Sequence, residues 1–342
     1  MSSSSSKYPG KSLKYLVASR GEINSKFPHL YDAIVTSSNG DAIPFFQLFM
    51  QINAPEIVPL KKEKNGLATY KVNYDTDVTN KALEYILTGK INKEFENYKK
   101  VEEFLKTSGT NTAKWVKYTL PNVADKLPLA DLSLKSKLLK QPIQMHRLVL
   151  ASHCTWFRTH LASTAPTANK PSSAPSTPYV IPDTYVKYLT QKKENYYNSP
   201  LEVDLDQFEP PSEKHIRAMV HFCYSDDFDA ACEKFGITSE EDVNQLFQFA
   251  EKIGLIGVLG EYAKRLAKNM TLQTVGRIFS MSTKGEEQEV HDKAVQFIFT
   301  NWSVLRKGDL KNQMTAEEEK LLYEQVSGIA NMFCLHKKNG LM

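Results

Sequence analysis

Apolar residues in this chain change spacing from one stretch to the next, and the changes mark its elements. Residues 130–134, Ala-Asp-Leu-Ser-Leu, alternate apolar and polar, the period of a half-buried strand. Residues 143–145 offer a partner strand, and the polar run KSKLLKQP between them reads as a hairpin connection. The spacing then becomes helical. Leu148, Leu150, Ala151, Cys154 and Phe157 fall on one stripe, which predicts a single helix through residue 157. Residues 201–205 alternate again and predict a strand. Pro210 and Pro211 stop it, and Ser212 is placed to cap a helix carrying Ile216, Met219, Val220 and Cys223. Ser239, followed by Glu240, Glu241 and Asp242, is a helix-start signature, because the hydroxyl can cap while the acids meet the positive end of the helix dipole. That helix carries Val243, Leu246, Phe247 and Ala250. Further helical stretches are expected near 255–269, 271–280 and 287–304.

The same order of elements occurs earlier in the chain. Residues 70–75 match residues 201–206 as alternating strands that end in Asp75 and Asp206. Leu83, Tyr85, Ile86 and Leu87 then match Val220, Phe222, Cys223 and Tyr224. A polar turn comes next in each, then Ile91 or Phe228, then an acid-started helix with Val101, Phe104 and Leu105 or Val243, Leu246 and Phe247. Upstream, residues 15–19 echo residues 148–152. A duplication is expected, with the alternative that two unrelated segments share a strand–helix rhythm. The first copy is expected to lack the hairpin, since only about a dozen residues precede Leu13.

Composition narrows the class. The chain has 342 residues, 41% hydrophobic and 24% charged, as in ordinary globular domains. Residues 1–12 are expected to be a disordered tail, and 162–182, dense in Ser, Thr, Ala and Pro, a mobile loop. Thr177 and Ser199, each before a proline, are either phosphorylation sites or ordinary loop residues. The net charge of +4 comes from bases interleaved with acids, as in Lys61, Lys62, Glu63 and Lys64, so no nucleic-acid face is expected. The four cysteines form no CxxC pair, and Cys154 and Cys223 lie in apolar runs, which suits a reducing compartment. No apolar run reaches the roughly 20 residues of a membrane span, and the first residues lack a signal peptide's apolar stretch. A cytoplasmic or nuclear protein is expected.

Residues 129–262 resemble a BTB/POZ domain. Members of that family have a strand with Asp, a second strand, and His-Arg or His-Lys opening a helix that reads V-L-A-x-S-x-x-F. Here these are Asp131, then His146, Arg147, Leu148, Val149, Leu150, Ala151, Ser152 and, further on, Phe157. The family's later aromatic-rich helix end is matched by Phe222, Cys223, Tyr224, Ser225 and Asp226, and its next helix by Ala250 through Leu259. The resemblance implies an α+β fold, a small β-sheet flanked by a helical cluster, in a BTB/POZ domain over 120–262. Residues 13–110 would be a degenerate second copy. Residues 263–342 would be a BACK-like helical extension with an apolar stripe of Ala294, Phe297, Ile298 and Trp302.

The resemblance also carries functional implications. Asp131, His146 and Arg147 would form a charged pocket at a dimer interface; alternatively they only tie strand to helix. Family members dimerise and bind cullin-3 as substrate adaptors of a ubiquitin ligase, through an apolar-x-Glu motif. The nearest match is Leu189, Thr190 and Gln191, where Gln keeps an acceptor but loses the charge. With Tyr224 and Phe228, Leu189 and Gln191 mark a possible cullin-contact region. The partners expected are proteins, cullin-3 and a recruited substrate, with a homodimer or, from the duplication, an intramolecular pseudo-dimer. A scaffold without ligase recruitment and a transcription co-regulator are the alternatives.

No catalytic, cofactor or metal site is expected. His146 lacks Cys or His partners at ligand spacing, and His291 with Asp292 reads as a solvated pair. Ser152 and His153 point about 100° apart on a helix and cannot act as nucleophile and base. Gly254, Gly257 and Gly260 lie in a helical stretch, where they permit close packing or a local break, not in a phosphate loop.

Overall fold

A computed structural model describes residues 31–62, 67–88, 93–110, 129–164, 201–305 and 313–338. The expected tail over 1–12, the Ser/Pro-rich stretch beyond residue 164, and Thr177 and Ser199 lie outside the described residues. The chain divides into two compact units, residues 1–238 and 239–342. Each is mixed or helical in its own right, and the whole is α+β.

The first unit contains two small sheets. In the first, β1 (Ala33–Thr36) pairs antiparallel with β2 (Ala42–Phe45), which leads into helix α1 (Gln47–Asn53). The short strand β3 (Lys61–Lys62) then pairs antiparallel with β4 (Ala68–Lys71), and β4 lies parallel to β1, giving the order β2-β1-β4-β3. Helices α2 (Thr76–Thr88) and α3 (Tyr98–Thr107) come next.

The second sheet repeats this path. β5 (Leu132–Lys135) pairs antiparallel with β6 (Ile143–Met145), which leads into α4 (Arg147–His153) and α5 (Thr155–Thr164). β7 (Leu201–Asp204) lies parallel to β5, giving the order β6-β5-β7, and leads to α6 (Glu213–Ser225) and α7 (Phe228–Lys234).

The repetition extends to individual hydrogen bonds. The Asp32 carbonyl accepts from Ala68 N at 3.0 Å, and the Asp131 carbonyl from Leu201 N at 3.0 Å. At the other strand end Val72 N donates to Thr36 O and Leu205 N to Lys135 O, at 3.0 and 2.8 Å. Helices α1 and α4 each have seven residues, and each is closed by the next amide, Ala54 onto Met50 and Cys154 onto Leu150, at 2.9 Å in both. Helices α2 and α6 each have 13 residues.

These pairings correct the sequence alignment in three places. The first copy has its hairpin, β1 and β2, and it lies beyond residue 30 rather than ahead of Leu13. Residues 15–19 and Ile91 lie outside the described residues. The strand match is off by two: Ala68, not Tyr70, takes the place of Leu201, because each is paired with the first residue of its hairpin strand. An even shift preserves which face each residue occupies. Finally, α3 has no acid in its first turn, unlike the helix at Glu240–Ile253.

The single helix expected through residue 157 is two helices. Cys154 is extended (φ −117°, ψ 112°) and separates α4 from α5. The break is satisfied locally: Arg158 donates to the Ala151 and Ser152 carbonyls at 2.6 and 2.8 Å, filling acceptors that the end of α4 leaves open.

The second unit is helical: α8 (Glu240–Ile253), α9 (Ile256–Ala267), α10 (Val275–Lys284), α11 (Gln288–Thr300), α12 (Trp302–Leu305) and α13 (Ala316–Lys338). Ser239 Oγ accepts from Asp242 N at 3.1 Å, the cap expected there, whereas Ser212 makes no such bond for α6. The glycines divide the two roles foreseen for them. Gly254 (φ +67°) ends α8 in the left-handed region, where a side chain would be strained. Gly260 lets α9 approach α10 so closely that a Cβ on Gly285 would lie 2.2 Å from Gly260 N. In the expected stripe of α11, Ala294 and Ile298 are buried, while Phe297 and Trp302 are half-buried.

Candidate interaction site

Three of the residues picked out from sequence meet where β5 and β6 deliver the chain into α4. Asp131 Oδ1 accepts from the Arg147 backbone N–H at 2.8 Å, capping the start of the helix. Arg147 Nε donates to the Asp131 carbonyl at 2.8 Å and lies 3.8 Å from the carboxylate Oδ2. Arg147 is only 2% exposed, and such a cation is tolerable only when paired and hydrogen-bonded. Of the two readings of this pair, the tie from strand to helix is what its hydrogen bonds describe.

His146 is equally interior. Its backbone N–H donates to Tyr224 Oη at 3.1 Å, and its Nδ1 lies 2.6 Å from the same oxygen. Burial pushes the Tyr224 hydroxyl far above the usual phenol range, so the phenol keeps its proton while hydrogen-bonded to Nδ1. Tyr224, expected at a cullin contact, is 2% exposed, and Phe228 is buried as well, so neither faces outward. Helix α6 turns Tyr224 inward with Met219, Phe222 and Cys223, and Phe228 is buried at the start of α7. Leu189 and Gln191 lie outside the described residues.

The first copy builds the same junction from different residues. Asp32 accepts from Gln47 N at 2.7 Å, and the Gln47 side-chain amide donates to the Asp32 carbonyl at 2.7 Å. Gln47 thus does the work of Arg147 without a charge. Phe46 stands where His146 does, and Leu87 where Tyr224 does, so a polar pair in one copy is apolar in the other. At the far end of the helix, Asn53 Nδ2 donates to the Ile86 carbonyl at 2.9 Å, and His153 hydrogen-bonds the backbone of Cys223, the matching position. Sequence reasoning missed these ties, because residues 33 or 70 positions apart carry no local signal.

Ser152 Oγ donates to the Val149 carbonyl at 2.7 Å. Burial, with a smaller contribution from the Arg158 charge, lowers the His153 imidazole to about 3. Burial also raises the Cys154 thiol to about 11 and the Cys223 thiol well above its usual range, so neither forms a reactive thiolate. Among the described residues, no group of three or more His, Cys, Asp or Glu could hold a metal ion, and no helix is long and apolar enough to cross a membrane.

Two surface grooves lie apart from this junction. One, of about 880 Å³, lies in the first copy beside Val58, which is 75% exposed, with Glu56, Lys71, Tyr74, Lys100 and Glu103 on its walls. The other, about 520 Å³, lies in the helical unit beside Trp302 and Tyr323. A scan against protein-family models finds no match for this chain, and no curated protein matches it.

Proposed function

We propose that this chain is a protein–protein interaction module of the BTB/POZ type, acting as a substrate adaptor for a cullin-3 ubiquitin ligase. The observation that carries the reading is the junction at Asp131 and Arg147. A strand with an entering Asp, a hairpin partner, a His-Arg start to a seven-residue helix, and a third strand parallel to the first follow the order that the resemblance implies. Interior polar groups fix this framework, and the remaining surface is free to evolve toward partners. Retention of this chain by the N-terminal part of cullin-3, at micromolar protein, is the expected result. No retention would overturn the ligase role.

A second reading, a scaffold that assembles partners without a ligase, is favoured by one finding. Tyr224 and Phe228, two of the residues marked for cullin contact, are 2% and 6% exposed and offer almost no surface to another protein. Under that reading the cullin pull-down is empty.

A further inference from the structure

We propose that the two copies pack against each other within one chain, with the first copy covering the outer face of α4. This goes beyond the adaptor reading and holds whatever the partner is. Helix α4 is buried on every side: its seven residues, Arg147 to His153, range from 2% to 7% exposed. At 100° per residue, seven positions sample the whole circumference. Helices α5 and α6 pack against α4, and two neighbouring helices do not enclose a third on every side.

Two further observations identify the cover. First, most of the equivalent helix α1 is sunk, with Gln47, Leu48, Phe49, Met50 and Asn53 buried, Ile52 half-buried and Gln51 exposed. The neighbouring Tyr31, Phe45 and Phe46 are each at most 2% exposed. Apart from Gln51 and Ile52, this edge is therefore withdrawn from water in both copies. A self-complementary contact about a two-fold axis, in which one patch meets its own counterpart, would bury both helices over most of their length. Second, both hairpins and both first helices belong to one compact unit, residues 1–238. The partner of each copy is thus the other, and the pair is lopsided, with the charge of Arg147 on one side and the neutral Gln47 on the other.

The test uses the full chain in two forms. In the first, a protease site placed within residues 111–128 is cut under native conditions. The two fragments should co-elute at the mass of the intact chain, 38.8 kDa. In the second, Val35→Asp combined with Ile43→Asp puts two charges opposite each other at fully buried positions of β1 and β2, opening the first copy. Hydrogen exchange is then measured by mass spectrometry, with residues 33–45 reporting the opening. Exchange across 147–153 should rise at least tenfold. Fragments that separate after cutting would overturn the proposal. So would an α4 that stays as protected as in the parent chain while residues 33–45 exchange freely, since its cover would then come from elsewhere.

Discussion

At the scale of single residues, the two copies amount to a comparison made by the protein itself. Arg147 and Gln47 each donate a side-chain N–H to the carbonyl of the Asp that caps their helix. What the framework needs is that donor and not a positive charge. Arg147→Gln is therefore expected to cost about 1 kcal/mol, a typical hydrogen-bond adjustment, whereas Arg147→Ala removes the side-chain donor and empties the space of a buried side chain, and costs about 2–5 kcal/mol. Urea unfolding of both variants measures the gap, and equal losses would refute it. His153 allows a second prediction. Its imidazole titrates near 3 in the fold against an ordinary value of 6.5. The unfolded chain takes up this proton as pH falls below about 6.5 and the folded chain does not until about 3. The stability that neutral His153 supports is whole above pH 6.5 and is lost progressively across that window, by at most roughly 1.4 kcal/mol per pH unit. In His153→Asn, which copies the native Asn53, the melting temperature should fall less between about pH 7 and pH 4.5 than in the parent. Identical falls would count against this origin of acid sensitivity.

At the scale of elements, what periodicity could and could not reveal is clear. Most of the stripes of α2 and α6 was legible: Leu83, Tyr85, Ile86 and Leu87, and Ile216, Met219, Phe222, Cys223 and Tyr224, are buried, while Val220 is half-buried. The β1–β2 hairpin was not legible. Ala33, Ile34 and Val35 are all buried, so they show no alternation, and Pro44 weakens the second strand further. The turn signal between them, Asn39 and then Gly40 at φ +85°, was present and would have placed the hairpin. The break at Cys154 left no trace in spacing, because the group that makes it tolerable, the Arg158 guanidinium, acts back across six or seven residues. Asp131 and Arg147 were legible through the resemblance, but the bond from His146 to Tyr224 spans 78 positions and needed the fold. In the helical unit, backbone-to-backbone approach at Gly285 and Gly260 sets the crossing of α9 and α10. Around it, Lys284 binds Glu251 and Glu318 at 3.1 and 3.2 Å, and His291 bridges Thr283 and Gln325. Gly285→Ala would force those helices apart and should destabilise this unit by about 2–3 kcal/mol, as overpacking does. Circular dichroism during heating reads the effect, and an unchanged melting curve would mean that the helices separate freely.

At the scale of the whole molecule, one backbone plan is written twice in different side chains. The hairpin, the strand parallel to its first member and the lengths of the paired helices α1 and α4, and α2 and α6, agree between the copies; among the described residues β3 and α5 have no counterpart, and charge, aromatic content and polarity at the junction differ. The resemblance in sequence followed the copy with Arg147, His146 and Tyr224. The first copy kept the hydrogen bonds and replaced the residues that make the pattern recognisable. An assembly of two identical subunits meets every mutation twice, at symmetric places, and must tolerate both at once. Here a change such as the one separating Gln47 from Arg147 is met only once. One copy can drift toward a new task while its sibling preserves the old one, a freedom that symmetric pairs are denied.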